Sequence, residues 1–301
     1  MELYDWMAKY TPQTEWIKRR GVLLWLAFFF IELGAGLFFV ASFFDSLPTL
    51  FTGWLVCAIL GGGFHLVFLG KPARFWRIVF SSGWQTSWIS RGLIFVSLFL
   101  ILGLVHLALA TWANSVIALL VVVNIFAFLT IIYGGFAMNY VNGIPLWNTA
   151  LLPVLYVISG LWGGAEVTLG IALANGEIGT GIVIEEWIRI LLIGFLVLIP
   201  VYLLSTRYIS ITGQASVKYM VQGKWSPLFW IAVVFLGMAI PLAAIITSFV
   251  VGLEETSRAF LYIAIICGLI GDLSVRYLIL RCGLYSPLIP FSSRQTMPVG
   301  G

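Results

Sequence analysis

The sequence predicts an all-α, polytopic membrane protein with eight transmembrane helices, and three observations lead to this fold class. Of the 301 residues, 61% are hydrophobic and only 9% are charged, whereas a soluble globular domain carries about 25% charged residues. The apolar residues fall in blocks of about 20, the length of an α-helix that crosses about 30 Å of hydrocarbon. Segments of about ten residues with alternating polarity, which a membrane β-barrel requires, do not occur.

The apolar spans predict a single integral membrane domain over residues 1–301. Most connections between the spans are short, and the longest, 205–227, is polar. The turn sequence Asn142-Gly143-Ile144-Pro145 divides the spans into two four-helix halves, at about 21–137 and about 148–281. In chain order, the predicted spans lie at about 21–43, 50–70, 89–111, 115–137, 148–171, 183–204, 228–251 and 259–281.

The basic residues predict the orientation of these spans. We call the face that holds both termini the N-face, and fourteen of the sixteen Lys and Arg residues fall on it. The positive-inside rule therefore predicts a multi-pass protein of the inner (cytoplasmic) membrane, with both termini in the cytoplasm. A docking surface for an acidic partner would show the same basic stripe. The N-face residues are Lys9, Lys18, Arg19, Arg20, Lys71, Arg74, Arg77, Arg91, Arg207, Lys218, Lys224, Arg276, Arg281 and Arg294.

Ionisable residues within the spans are the candidates for function, because a charge in hydrocarbon costs several kcal/mol unless it faces a packed or wet interior. Asp272 and Arg276 are spaced i, i+4, so they can pair, either as a structural ion pair or as the polar wall of a ligand pocket. Glu32, near the midplane, suits a proton relay or a neutral acid bonded to a neighbouring helix. Glu166 has the same two interpretations nearer the opposite face, which is acidic.

The two histidines and three cysteines restrict the cofactors of the chain. Counted at 1.5 Å per residue, His65 lies about 8 Å from the N-face and His106 about 26 Å from it, so they cannot share one haem iron. The three cysteines are far apart in sequence and include no CxxC pair. We therefore expect no haem, no iron–sulphur cluster and no metal site within this chain.

Several short motifs occur in a characteristic order along the chain. The motifs are Leu33-Gly34-Ala35-Gly36, His65-Leu66 with Gly70-Lys71-Pro72-Ala73-Arg74-Phe75-Trp76, Ser87-Trp88-Ile89-Ser90-Arg91-Gly92, Tyr133-Gly134, Ile144-Pro145-Leu146-Trp147-Asn148 with Leu152-Pro153, Gly271-Asp272-Leu273-Ser274-Val275-Arg276-Tyr277, and Gly283-Leu284-Tyr285-Ser286-Pro287-Leu288-Ile289-Pro290. Together they resemble the NrfD-like family, the membrane subunits of polysulfide-reductase-type complexes, over residues 21–290.

The resemblance implies a membrane anchor that binds a quinone, either menaquinone or ubiquinone, in a respiratory oxidoreductase complex. Such a subunit passes electrons between the quinone pool and an iron–sulphur (ferredoxin-like) subunit, with associated proton transfer. The iron–sulphur subunit connects in turn to a large catalytic oxidoreductase subunit, usually of the molybdopterin type. The lipid bilayer is the other expected partner, and nothing in the sequence indicates binding to nucleic acid.

The resemblance also implies where the quinone binds. Tyr133 resembles a tyrosine that closes the fourth helix in the family and donates a hydrogen bond to the quinone. Its candidate neighbours at the N-face ends of the helices are His65, Trp88, Arg91, Asp272 and Arg276. The deeper residues Glu32, His106 and Glu166 are predicted to form a proton path towards the acidic face. We expect no residue of this chain to be catalytic in its own right.

Two other functions are compatible with the sequence. The chain can be a quinone-independent anchor and proton-conducting subunit of the same kind of complex. It can also be a small-solute or ion transporter that uses the three deep residues, although it lacks the internal repeat that many transporters show. Many NrfD-like complexes carry their catalytic subunits outside the cytoplasm. The charge bias instead places the N-face, where the iron–sulphur subunit is expected to dock, inside the cytoplasm. The sequence leaves both arrangements open.

Overall fold

A computed structural model describes residues 10–80, 82–112 and 117–287 of the chain. Within them, eight helices are long and apolar enough to cross a membrane, which confirms the predicted all-α, eight-span fold class. The last residues of the final motif, Leu288-Ile289-Pro290, and the basic residues Lys9 and Arg294 lie outside the described residues. The helices are α1 (Gly21–Ala41), α2 (Leu47–Phe68), α3 (Trp88–Thr111), α4 (Ile117–Asn139), α5 (Leu151–Asn175), α6 (Ile178–Ile209), α7 (Leu228–Val251) and α8 (Arg258–Arg281).

The largest difference from the predicted boundaries concerns α6. It has 32 residues, about 48 Å at 1.5 Å per residue, which exceeds the roughly 30 Å of a hydrocarbon core. The connection after it contains a further helix, Ile211–Val221, whose first turn is capped by Ser210. The Ser210 hydroxyl accepts a hydrogen bond from the Gly213 amide at 2.9 Å. Hydropathy alone missed this helix because small polar residues interrupt its apolar ones.

Buried apolar side chains form two clusters. One lies among α1 to α4 and includes the edge-to-face pair Phe38 and Phe99. The other draws mainly on α5 to α8 and includes Trp162 against Phe195. Helix α1 crosses α5 so closely that a Cβ on Gly36 would overlap the carbonyl oxygen of Gly160. Small residues thus let the two backbones meet, as is usual where membrane helices pack tightly.

Two short strands join the segment before α1 to the segment after α8. Strand β1 (Thr11–Pro12) pairs antiparallel with strand β2 (Leu284–Tyr285), and the Gln13 amide extends the pairing by donating to the Gly283 carbonyl at 2.9 Å. Beneath the strands, the Trp147 indole donates to the Ile279 carbonyl at 2.7 Å. The chain before α1 and the chain after α8 are therefore bound to each other.

Candidate functional site

A large apolar cavity lies among α1, α2, α3 and α4, near their N-face ends. Its volume is about 450 Å³, within the range of about 300–1,000 Å³ that holds small organic ligands. Its walls are aliphatic and aromatic, with a few polar groups from His65, Ser97 and Tyr133. The segment between α2 and α3 closes one side through Phe75 and Ile78. The cavity suits a flat or chain-like apolar ligand that carries few polar atoms.

The polar end of this cavity is a hydrogen-bonded pair from α2 and α4. The Tyr133 hydroxyl and His65 Nε2 are 3.0 Å apart, and His65 Nδ1 lies 3.2 Å from the Gly61 carbonyl oxygen. With its hydrogen on Nδ1, the imidazole donates to Gly61 and accepts from Tyr133. Phe28 of α1 packs edge-on against the imidazole, with the ring centroids 5.6 Å apart. The Tyr133 hydroxyl is thus a hydrogen-bond donor at the wall of an apolar cavity.

Local backbone features position this pair. A π-helical stretch, Val56–Gly62, precedes His65 in α2, and such stretches widen a helix by one residue and often occur at functional sites. On α3, a Cβ at Gly92 would overlap the ring of Tyr133. Gly92 therefore leaves the space that the tyrosine ring occupies, which explains why a residue without a side chain stands there.

Trp88 and Arg91, two predicted neighbours of the ligand, lie beside the cavity and outside the wall formed by the described residues. Trp88 stacks on Phe136 of α4 with a centroid distance of 4.4 Å. The Arg91 guanidinium lies 4.9 Å from the centre of the Trp88 ring and donates to the backbone carbonyls of Trp84 and Gln85. These contacts fix the segment before α3 against the helix bundle.

A second polar centre, the ion cluster, is buried where α1, α5 and α8 meet. It consists of Glu32, Ser159, Asp272 and Arg276, each no more than 4% exposed. Arg276 makes two bonds to the Glu32 carboxylate and a 3.1 Å salt bridge to Asp272 Oδ2, so the predicted pairing of Asp272 with Arg276 is confirmed. Ser159 accepts from Arg276 and donates to Asp272 Oδ1 at 2.6 Å.

The hydrogen bonds within the ion cluster replace much of the hydration that its charged groups lose on burial. Buried ions are tolerated when good geometry and extra hydrogen bonds replace their hydration. Below the guanidinium, the Tyr156 ring lies with its centroid 4.6 Å from the Arg276 Cζ, a cation–π arrangement. Glu32 and Asp272 share the one guanidinium, so the cluster carries one unbalanced negative charge when both carboxylates are ionised.

The three residues of the predicted proton path have three different surroundings. Glu32 belongs to the ion cluster, Glu166 lines a small cavity among α5 to α8, and His106 is buried in α3 with no hydrogen-bond partner for Nδ1 among the described residues. Asp272 and Arg276, predicted near the ligand, contribute to the ion cluster and not to the large cavity. The grouping therefore differs from the predicted one, although the same residues stand out.

Sequence reasoning missed Ser159 and Tyr156, which complete the ion cluster. A signal for Ser159 was present: it lies seven residues before Glu166, and residues at this spacing share one face of a helix. Its depth in α5 also resembles that of Glu32 in α1. Within the part of the chain that the structure describes, no group of three or more His, Cys, Asp or Glu side chains could hold a metal ion.

Eight long apolar helices in the described part of the chain define a multi-pass membrane protein, and the two polar centres lie among them. The sequence matches the model of the family described as "Polysulphide reductase, NrfD" over residues 19–287. The chain belongs to this NrfD family. Over 155 residues it is 26% identical to a "Protein NrfD homolog" of Haemophilus influenzae (strain ATCC 51907 / DSM 11121 / KW20 / Rd), a match that covers 50% of this chain and 48% of that protein. The chain thus spans about half the length of the curated relative it matches.

Proposed function

We propose that the chain is the quinone-binding membrane subunit of an oxidoreductase complex, and that the large cavity among α1 to α4 is its quinone site. The observation that carries this proposal is the combination of size and polarity: about 450 Å³ of apolar space with one hydroxyl–imidazole pair at its wall. A quinone ring is apolar on its faces and has carbonyl oxygens that accept hydrogen bonds. The described residues therefore fit this ligand.

The residues of the cavity have two different roles in binding the quinone. Phe28, Leu93 and Val96 line the apolar wall and keep water from the ring. Tyr133 turns its hydroxyl hydrogen from His65 to a carbonyl oxygen of the ligand, and His65 takes up or returns a proton through that hydroxyl. A bound quinone supplies the redox chemistry, in which two electrons and two protons interconvert quinone and quinol.

The ion cluster gives the bundle a place to hold one proton. Its two carboxylates face a single guanidinium, so protonation of one carboxylate would make the cluster neutral without breaking it apart. Glu32 lies on α1 one residue after Ile31, which lines the quinone cavity. We infer that protons released or consumed at the cavity reach the bundle interior through this cluster.

The partners of the chain follow from the same proposal. Electrons leave or enter the cavity through an iron–sulphur (ferredoxin-like) subunit that docks on the N-face, and a large molybdopterin-type subunit carries the terminal reaction. The exposed basic residues Lys71, Arg74 and Arg77 lie in the segment that covers the cavity, so they complement an acidic partner. We propose the inner membrane as the location, with the N-face in the cytoplasm.

The Tyr133→Phe variant tests the quinone site. Removing the hydroxyl costs about 1 kcal/mol of binding, so the quinone Kd should rise about fivefold, as measured by quinone titration of the complex in nanodiscs. Tyr140→Phe is the matched control, because Tyr140 lies just beyond the same helix and is 63% exposed. Unchanged affinity in Tyr133→Phe, or full electron transfer by a complex from which all quinone and quinol have been removed, would contradict the proposal.

A further inference from the structure

A second, smaller cavity lies among α5, α6, α7 and α8, well separated in the fold from the quinone cavity. Its volume is about 30 Å³, and about 10–15 Å³ suffices for one buried water molecule. Its polar side chains are Glu166, Glu185 and Ser248, and the rest of its wall is apolar, with Ala244 and Ala264 among the smallest residues. The cavity has room for about two water molecules beside three oxygen-bearing side chains.

Two polar atoms at this cavity lack partners. Glu166 and Ser248 are each only 3% exposed, and neither Glu166 Oε2 nor Ser248 Oγ has a hydrogen-bond partner among the residues that the structure describes. Buried polar groups of this kind normally bond to protein or to ordered water. One water molecule in the cavity would be able to bond to both atoms, because a buried water molecule makes about three hydrogen bonds.

The Glu166 carboxyl group packs directly against the backbone of α8 at Gly268. A Cβ at Gly268 would lie 2.7 Å from Glu166 Oε2, so the carboxyl group occupies the place where a side chain would otherwise stand. Asp272 follows Gly268 by one helical turn. The Glu166 carboxyl group therefore lies between the ion cluster and the small cavity.

The charges around the cavity distinguish its two carboxyl groups. Glu185 pairs with Arg189 at 3.3 Å, and Arg189 also lies over the Phe249 ring. In the described part of the chain, no Lys or Arg is within ion-pair distance of Glu166. The other ionisable groups near Glu166 are Asp272 and Cys267, both on α8. A lone charge at Glu166 would be costly to bury, whereas a neutral carboxyl group bonded to water would not.

We propose that Glu166, Ser248 and the small cavity form a hydrated proton-binding site, which takes one exchangeable proton and about two water molecules. Glu166 takes its proton from a hydronium ion in the cavity water and returns it to that water, so that carboxylate plus hydronium gives carboxylic acid plus water and both charge and atoms balance. Glu185, with its paired Arg189, borders the site towards the acidic face. The site depends on its own residues, so its failure would leave the quinone proposal untouched.

Infrared spectroscopy of the chain in nanodiscs tests this site. The C=O stretching band of a protonated carboxyl group is distinct from the bands of a carboxylate. At neutral pH we expect the wild-type spectrum minus that of Glu166→Gln to contain this band, and Ser248→Ala to shift it. Transfer into D2O should displace the band within minutes. The exposed Glu254 provides the control, since Glu254→Gln should change none of these features.

A cavity-filling variant tests whether water is required. Ala244→Leu should fill the cavity and slow deuterium exchange at Glu166 by about tenfold or more, because exchange then depends on local opening of packed helices. Ala243→Leu, at an exposed neighbouring position of α7, should exchange as the wild type does. The absence of a Glu166 band, equal exchange rates in both leucine variants, or loss of the band on adding Na⁺ at fixed pH would overturn the proposal.

Discussion

The large cavity among α1 to α4, which we propose as the quinone site, differs from the ion cluster among α1, α5 and α8 in what it buries. The cavity has about 450 Å³ of apolar space and one polar pair, whereas the cluster has interlocking charges with little exposed surface. Burial follows the same division: 61% of the most apolar stretch is buried in α5 and in α8, but only 22% in α2. The helices that border only the cavity, α2 to α4, are the more exposed ones, whereas α1, α5 and α8, which hold the charges, are more deeply buried.

This difference indicates that the two regions respond differently to mutation. A binding cavity tolerates changes in its surroundings as long as its polar pair keeps its geometry. An ion cluster depends on charge balance and on tight helix packing, so changes there affect the stability of the whole bundle. Separate measurements of stability and of quinone affinity can therefore test the comparison.

The largest effect is expected for Arg276→Met. Removal of the guanidinium leaves Glu32 and Asp272 buried without a counter-charge, which should lower the free energy of unfolding by about 3–5 kcal/mol. Unfolding of the detergent-solubilised chain measures this change. Arg258→Met, at the exposed start of the same helix, serves as the control. Adding Glu32→Gln to Arg276→Met should restore part of the loss, and no restoration would refute the charge argument.

A smaller loss of stability is expected for Gly164→Ala in α5. The new methyl group would overlap the α1 backbone at Gly36, and such overpacking costs about 1–3 kcal/mol. Gly170→Ala is the matched variant in the same helix, because its nearest neighbour would be 3.6 Å away. The same unfolding assay should show a clear gap between the two variants. Equal stabilities would mean that α1 and α5 are less tightly packed than the structure shows.

Gly92→Ala should affect binding more than stability. Its methyl group would displace the Tyr133 ring, which borders the open cavity. The displaced hydroxyl is then misaligned for its proposed hydrogen bond to the quinone, a loss of about 1 kcal/mol. Quinone titration should show a Kd increase of about fivefold. Gly63→Ala on α2 is the control, since nothing lies within 4 Å of the added atom. A stability loss as large as that of Gly164→Ala, with unchanged affinity, would break the comparison.

The smallest effect is expected for Arg91→Ala. Arg91 stacks on Trp88 and lies outside the cavity wall, and an exposed cation–π contact is worth about 0.5–1 kcal/mol. Quinone affinity should therefore fall by about threefold, roughly 0.7 kcal/mol, through loosening of the segment before α3. Arg74→Ala, at the same face, should change affinity less. A loss of tenfold or more would instead favour direct contact between Arg91 and the quinone, as the sequence predicted.

Features that depend on nearby residues could be predicted from the sequence. The eight spans follow from runs of apolar residues, and the Asp272–Arg276 pair follows from i, i+4 spacing. The partner of Arg276 across the bundle could not be predicted, because Glu32 lies 244 residues away in sequence. That contact depends on how α1, α5 and α8 pack, and hydropathy contains no information about neighbours. The cavity itself is likewise a property of packing, although His65 and Tyr133 at its wall were both identified.

The pairing of β1 with β2 has a consequence for the assembly of the protein. Chains are made from the N-terminus, and early segments generally fold first. Thr11 and Pro12, however, acquire their strand partners only after α8 has been synthesised. The pairing of β1 with β2 therefore cannot form until the chain beyond α8 has been made, whereas contacts among the earlier helices can form before it. A nascent chain halted before residue 284 would leave Thr11 and Pro12 without their strand partner.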